Sequence, residues 1–183
     1  MIRRQYKGKR LAYYGKAGDS SLFWSNHWEN IDWHSWLERA RSGNLGYFTE
    51  PFLKYLPKTG RILEAGCGLG QLVIALQTRG YNAEGVDFSE KTIAMVKEHA
   101  GDAPLKSGDV RKLDYPDNYF SAYISIGVVE HFEEGPEAVL EEAKRVLEPD
   151  GYLLVSVPRI HLVRRLKIWM GFYRGSADGH FYQ

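Results

Sequence analysis

A glycine-rich loop is the part of this sequence whose residue types most directly imply chemistry. Glycine alternates with other residues from Gly66 to Gly70, and an acid, Glu64, stands two residues before the first glycine. Glycine permits a positive φ and leaves backbone N–H groups open to a ligand. Residues 61–63 before the loop suit a short buried strand, and the apolar run 72–76 after it suits a helix. A strand, a glycine loop and a helix in this order predict a cradle for a nucleotide-like ligand.

Two details of this loop indicate which ligand suits it. A dinucleotide fingerprint needs its third glycine at position 71, where this chain has Gln71. The carboxylate of Glu64 would also repel a pyrophosphate, because like charges about 4 Å apart cost roughly 1 to 4 kcal/mol, depending on the dielectric. S-adenosylmethionine has no phosphate, and its ammonium and sulfonium groups are cations. The loop therefore favours S-adenosylmethionine over a dinucleotide.

Five segments between residue 61 and about residue 158 share their order and spacing with one known family. They are the acid with G-x-G-x-G at 64–70, the strand 83–87 ending in an acid, the segment 107–110, the strand 120–126 followed by Glu130 and His131, and the turn 147–151 before the strand 152–157. At these positions the sequence resembles the class I S-adenosylmethionine-dependent methyltransferases. The resemblance implies a methyltransferase that uses S-adenosylmethionine and releases S-adenosylhomocysteine.

The resemblance also implies roles for individual residues. Asp87 would accept hydrogen bonds from both ribose hydroxyls, since a carboxylate can accept two at once. Phe88 would pack against the adenine, and Asp109 would accept from the adenine amino group. Cys67, the only cysteine, is expected to pack rather than to act as a nucleophile. The residues predicted at the cofactor are Glu64, Gly66, Cys67, Gly68, Gly70, Asp87, Phe88, Asp109, Val110 and Ile126.

Methyl transfer from this cofactor requires mainly that the protein align the reacting groups. The sulfonium is already an electrophile, so the protein has to align a nucleophile with the methyl group and exclude water. A general base is needed only for an acceptor that must lose a proton, such as a phenol. His131 is the predicted catalytic residue, with Glu130 as the other candidate, and a hydrogen bond of the imidazole within its loop is the alternative. No histidine and carboxylate spacing in the sequence predicts a metal site.

These residues require an α/β fold to position them. The resemblance implies a Rossmann-like doubly wound sheet of five parallel strands in the order 3-2-1-4-5, with helices at the N-terminal side. The final antiparallel strand pair of the family is not found, which would leave the fifth strand as an exposed edge. We therefore expect either an interrupted domain or a second copy of the chain that covers this edge. The predicted function is methyl transfer to a small-molecule acceptor, and the alternative is a cofactor-binding domain without turnover.

The chain divides into four predicted segments. Residues 1–20 carry six Lys or Arg residues before the first acid, and we expect a basic flexible arm. Residues 21–58 are rich in aromatic side chains and predict helices that cover the cofactor or the substrate. One helical face consists of Trp33, Trp36, Leu37 and Ala40 after the cap Asp32, and a second consists of Tyr47, Phe48, Phe52, Tyr55 and Leu56. Residues 59–158 form the predicted S-adenosylmethionine-binding core.

The fourth segment, residues 159–183, is basic and amphipathic. No acid occurs between residues 151 and 177, while arginine and lysine alternate there with apolar residues. Such a helix could cover an anionic substrate, contact an anionic lipid surface, or pack its apolar side on the domain. The sequence leaves these three roles open.

The composition fits one domain of moderate size. The chain has 183 residues and a formal net charge of +1, so no overall field indicates a nucleic-acid partner. No apolar run approaches the roughly 20 residues of a membrane span. The residues after Met1 are polar and basic rather than the apolar core of a signal peptide. We therefore expect a cytoplasmic protein.

Overall fold

The computed structural model describes residues 31–160 and 162–172, Trp28, and the backbone of three terminal strands. The strands are β1 (Arg3–Lys7), β2 (Arg10–Gly15), β3 (Arg61–Ala65), β4 (Asn82–Asp87), β5 (Leu105–Ser107), β6 (Phe120–Ile126), β7 (Leu147–Ser156) and β8 (His180–Phe181). The α-helices are α1 (Trp33–Arg41), α2 (Thr49–Tyr55), α3 (Gln71–Thr78), α4 (Glu90–Ala100), α5 (Glu137–Val146) and α6 (Leu162–Trp169).

A five-stranded parallel sheet forms the centre of the molecule, in the order β5-β4-β3-β6-β7. Because β3 is the first strand of this sheet along the chain and β7 is the fifth, the order is the predicted 3-2-1-4-5, and the predicted fold is confirmed. The middle strands are buried on both faces, as parallel strands covered by helices usually are. The carboxyl ends of β3, β4 and β6 therefore meet at one edge of the sheet, where ligands bind in open α/β folds.

Helices cover both faces of this sheet, and the direction of each strand side chain decides which layer it joins. Ile62 packs in a cluster with Trp36 of α1, Val73 of α3 and Val96 of α4. Its neighbour Leu63 points to the opposite face, into the cluster that contains the buried residues of α5. This alternation gives the doubly wound architecture that the sequence predicts.

The first predicted N-terminal helix forms as expected. Asp32 caps α1, because its carboxylate accepts hydrogen bonds from the backbone N–H of Ser35 at 3.3 Å and from the Ser35 hydroxyl at 2.6 Å. Trp36 and Ala40, on the predicted apolar face, are buried. Burial of this face fixes α1 against the domain.

The second predicted helical face is only partly correct. Phe52 and Leu56 are buried, but Tyr47 is fully exposed. The reason is local: residues Gly46–Phe48 form a separate 3₁₀ turn before α2, so Tyr47 leaves the face that a continuous α-helix would have given it.

The last strand of the sheet includes the residues predicted to form a turn. β7 begins at Leu147, and its pairing with β6 shifts register between Phe120 and Ala122. Asp150 adopts a positive φ of 66° within this irregular part. Beyond it, the side chains of Tyr152, Leu153 and Val155 on this edge strand are more than one-third exposed.

The N-terminal segment differs from the predicted flexible arm. β1 and β2 pair antiparallel, with Arg3 opposite Tyr14 and Lys7 opposite Arg10, and β8 pairs with β2 to complete a small second sheet. The reason is compositional, because leucine and tyrosine residues at 11–14 favour extended backbone more than the basic charge opposes it. Phe23 and Trp24 of the aromatic segment, and Arg174 of the basic segment, lie outside the described residues.

Candidate functional site

A cavity of about 860 Å³ lies at the edge of the sheet where β3, β4 and β6 end. It brings together every residue predicted at the cofactor except Gly70, and it also includes His131. Residues between 28 and 48 line the opposite side, so the cavity lies between the glycine loop and the region of α1. Its size is within the usual range for a small-molecule site.

The three loop glycines have different tasks. All three have a positive φ, a conformation that glycine permits. A Cβ on Gly66 would lie 2.3 Å from Cγ2 of Val128, and a Cβ on Gly70 would lie 2.5 Å from Cδ1 of Leu105. Among the described residues, a Cβ on Gly68 would meet only the Trp28 ring, at 3.7 Å. Gly66 and Gly70 thus permit close packing, whereas Gly68 presents bare backbone to the cavity.

The Asp87 carboxylate, at the end of β4, is held by two backbone donors. Its Oδ2 accepts from the N–H of Gly68 at 2.8 Å, and its Oδ1 accepts from the N–H of Ser89 at 3.0 Å. Burial raises the pKa of Asp87, and these N–H donors partly oppose the rise. Each oxygen keeps a lone pair for a further donor. Ser89 itself caps α4.

The Glu64 carboxylate is buried beside the glycine loop. Burial raises its pKa to about 8, and the nearby Asp87 carboxylate adds to the rise. Its Oε2 has no hydrogen-bond partner in the described part of the chain. A buried carboxylate oxygen without a partner is costly, so this position suits a ligand that supplies a cation or a donor.

The carboxylate of Asp109 is engaged by a residue that the sequence reasoning missed. The Arg111 guanidinium contacts both Asp109 oxygens, at distances from 2.7 to 3.1 Å, and the backbone N–H of Arg111 donates to Oδ1 at 2.9 Å. These contacts lower the pKa of Asp109. Arg111 also lies over the ring of Phe132, 5.1 Å from its centroid. The sequence signal that could have indicated this contact is the acid and the base two residues apart, Asp109 and Arg111.

Apolar side chains complete the cofactor side of the cavity. Phe88 is 44% exposed, an unusual exposure for a phenylalanine beside a buried strand. Val110 is buried and Ile126 is half-buried. Cys67 is buried in the main apolar cluster, and burial raises the pKa of its thiol well above the ordinary value. Its position agrees with a packing role, because the reactive form of cysteine is the thiolate.

Of the two candidate bases, His131 lines the cavity and Glu130 does not. His131 ends a 3₁₀ turn, Val129–His131, and lines the cavity in a half-buried position. Glu130 is not part of the cavity wall. Burial raises the pKa of Glu130, and its Oε2 has no partner among the described residues. Of the two, the structure brings His131 to the site.

The wall opposite the glycine loop is largely aromatic, and most of its residues lie between positions 28 and 48. The residues of this wall are Trp28, Ile31, Trp36, Leu45, Tyr47 and Phe48, with Phe132 from the loop after β6. Sequence reasoning anticipated aromatic helices over the cofactor. Trp28 belongs to that aromatic segment, whereas Phe132 was given no role, because it does not stand in a periodic pattern.

A membrane span and a metal cluster are both absent from the described residues. No helix there is both long and apolar enough to cross a membrane. In the same part of the chain, no group of three or more histidine, cysteine or acidic side chains could hold a metal ion.

Comparison with known proteins identifies the family. Residues 63–155, about half of the chain, match a family model described as a methyltransferase domain. An uncharacterised methyltransferase of Schizosaccharomyces pombe is 32% identical over 55% of this chain and 41% of that protein. A ubiquinone biosynthesis O-methyltransferase of Dechloromonas aromatica is 30% identical over 52% of this chain and 43% of that protein.

The fold comparison agrees with the sequence matches. The crystal structure of an S-adenosylmethionine-dependent methyltransferase from Thermotoga maritima superposes with a TM-score of 0.54 at 25% identity, over 81% of this chain and 65% of that one. The matched region spans less than half the length of the two curated relatives. The motifs, the sheet order and the family match together show that the chain belongs to the class I S-adenosylmethionine-dependent methyltransferases.

Proposed function

We propose that this chain binds S-adenosylmethionine in the cavity at the ends of β3 and β4 and transfers a methyl group to a small-molecule acceptor. The observation that carries the proposal is the pair of buried carboxylates, Glu64 and Asp87, on either side of the open backbone at Gly68. Two buried acids in one apolar cavity repel each other and are stabilised by a ligand with hydroxyl donors and a positive charge.

Each part of the cofactor has a matching group in the chain. The remaining lone pairs of Asp87 suit the ribose hydroxyls, and the unpartnered oxygen of Glu64 suits the ammonium group. Phe88 and Val110 offer apolar surface for the adenine. Asp109 can accept from the adenine amino group only if Arg111 gives up part of its contact, because four donor contacts already fill its acceptor sites.

When bound, the cofactor supplies an electrophilic methyl group on a sulfonium. The chain then has to exclude water, orient the acceptor and, for some acceptors, remove a proton. The aromatic wall performs the first two tasks, because flat apolar rings leave little room for water and stack on a planar acceptor. His131 lies where it can take a proton from an acceptor hydroxyl.

A hydroxyl-bearing aromatic compound is the acceptor class that this site favours. The aromatic wall suits a ring, and the imidazole suits a phenolic proton. The relative from Dechloromonas aromatica, named as an O-methyltransferase of ubiquinone biosynthesis, supports the same chemistry. We infer O-methylation from these three points together.

Calorimetric titration of S-adenosylhomocysteine into the 183-residue chain tests the cofactor site first. We expect saturable binding of one molecule. A second assay follows S-adenosylhomocysteine release from S-adenosylmethionine with a panel of phenols and a matched panel of amines. Turnover with phenols is the expected result. Binding without transfer to any acceptor would contradict the transferase proposal and leave a cofactor-binding domain, and absence of binding would contradict the site itself.

A further inference from the structure

Helix α6 presents apolar side chains to solvent. We define the outward arc as Leu162, Val163, Leu166, Trp169 and Met170, and each of these side chains is between 49% and 79% exposed. No residue of α6 is buried. Soluble proteins seldom expose contiguous apolar surface of this kind without a binding function.

The arrangement around the helix is the reverse of an ordinary surface helix. At about 100° per residue, the five members of the outward arc fall within about 120°. The partly covered positions of α6 are Arg164 and Ile168, which lie on the opposite side. The side of α6 that is partly covered is therefore mixed, and the purely apolar side faces solvent. The outward arc does not pack on the described part of the domain, which was one of the roles left open by the sequence.

Basic side chains border the outward arc on both sides. Arg165 and Lys167 are exposed and lie about 40° beyond its two edges. Long basic side chains at such positions can reach phosphates while their stems stay among apolar groups. Between residues 151 and 177 the sequence contains no acid, so nothing in this segment opposes an anionic surface. Trp169, within the arc, is of a type enriched at membrane interfaces.

We propose that α6 is an interfacial anchor that lies in the surface of an anionic lipid bilayer. The outward arc would enter the boundary of the acyl chains, and Arg165 and Lys167 would contact headgroup phosphates. A lipid surface fits better than a protein groove, because both borders of the arc are basic and a flat anionic layer satisfies both at once. The proposal does not depend on the cofactor or the acceptor.

Vesicle co-sedimentation of the 183-residue chain tests the anchor. We expect binding to phosphatidylcholine vesicles that contain phosphatidylglycerol, weaker binding at higher salt, and little binding to pure phosphatidylcholine. The double variant L166Q/W169Q should lose vesicle binding. Both side chains are exposed, so its thermal unfolding should match that of the wild type.

A charge-matched pair of variants separates a local anchor from general attraction. R165Q/K167Q should bind anionic vesicles roughly 25-fold more weakly, at about fivefold for each basic residue. K97Q/K144Q removes the same charge from exposed positions on α4 and α5 and should bind like the wild type. An equal loss in both variants would overturn the proposal. So would a wild-type chain that stays in solution with anionic vesicles, or one that self-associates through Leu166 and Trp169 without binding them.

Discussion

The carboxylate of Asp87 accepts a hydrogen bond from the backbone N–H of Gly68 at 2.8 Å, and so joins the acid that ends β4 to the loop that leaves β3. Its second oxygen accepts from the N–H of Ser89, the cap of α4. One side chain therefore sets the shape of the glycine loop and the start of the next helix. The resemblance predicted only its contact with the ribose.

Asp87→Ala should weaken the binding of S-adenosylhomocysteine by roughly 30- to 150-fold. Loss of a charge-assisted contact to the ribose costs about 2 to 3 kcal/mol, and the freed Gly68 loop adds to the loss. Calorimetric titration measures the affinity. Asp87→Asn keeps one carbonyl acceptor, so its affinity should lie between those of the wild type and Asp87→Ala. An unchanged affinity in Asp87→Ala would show that the ligand binds elsewhere.

Glu64 should make the stability of the ligand-free chain depend on pH. Burial raises its pKa from 4.5 to about 8, so the folded chain holds this proton over a range where the unfolded chain has lost it. The resulting stability is fully present below pH 4.5 and is lost as the pH rises through 8. Glu64→Gln carries no such proton, so its free energy of unfolding relative to wild type should rise by several kcal/mol across this range, measured by urea unfolding.

The affinity for S-adenosylhomocysteine should show the opposite trend. A ligand ammonium beside Glu64 favours the ionised carboxylate, so affinity should increase with pH up to about 8, by at most about tenfold per pH unit. In Glu64→Gln the same titration should be nearly independent of pH. A steep pH dependence that persists in the variant would assign the proton to another group.

Two alanine substitutions in the glycine loop should have separable effects. Gly66→Ala places a methyl group against Val128 and should lower stability by roughly 2 to 4 kcal/mol, from overpacking together with the strain of a positive φ. Gly68→Ala carries only the strain, about 1 to 2 kcal/mol, but its methyl group enters the cavity and should weaken S-adenosylhomocysteine binding. Thermal unfolding and calorimetry measure the two effects.

A second-site change checks the cause of the Gly66→Ala effect. Val128→Ala in that background should restore part of the lost stability, because it removes the methyl group that the new Cβ would meet. If Val128→Ala instead lowers the stability of Gly66→Ala further, the packing explanation is wrong.

Features with a local cause were predictable from the sequence. The cap Asp32 appears where a short polar side chain precedes an apolar period, and the structure confirms it. The strand order followed from the resemblance to the family, which the motifs at 64–70, 83–87 and 107–110 carry. The glycines of the loop permit positive φ values, and all three adopt them.

Features with a tertiary cause were not predictable. Whether Tyr47 joins a helical face depends on a break between a 3₁₀ turn and α2, which the periodicity does not encode. The engagement of Asp109 by Arg111 depends on the turn that holds both residues. The amphipathic pattern of α6 predicted a helix, but it could not indicate that the apolar arc faces outward, since this depends on what the rest of the domain offers.

Arg145 should be a main support of the loop before β6. Its guanidinium donates to the backbone carbonyls of Leu113 and Tyr115 and pairs with Glu142 and Asp117 at 2.7 Å each. Arg145→Met should lower the free energy of unfolding by roughly 1 to 3 kcal/mol after allowance for solvent screening, because the two carbonyls lose their donor. Arg145→Lys should retain only part of the stability that Arg145→Met loses, since an ammonium cannot reach all four acceptors. Urea unfolding measures both variants, and a neutral Arg145→Met would contradict the assignment.

His131 should act on the acceptor and not on the cofactor. With a phenol that the wild type methylates, His131→Gln should lower kcat by about 10² to 10⁴, because the amide cannot take the acceptor proton. The affinity for S-adenosylhomocysteine should not change. Glu130→Gln, next to it but outside the cavity wall, should keep the wild-type kcat. If the two variants fall together, or if His131→Gln also loses S-adenosylhomocysteine binding, the imidazole only supports the loop after β6.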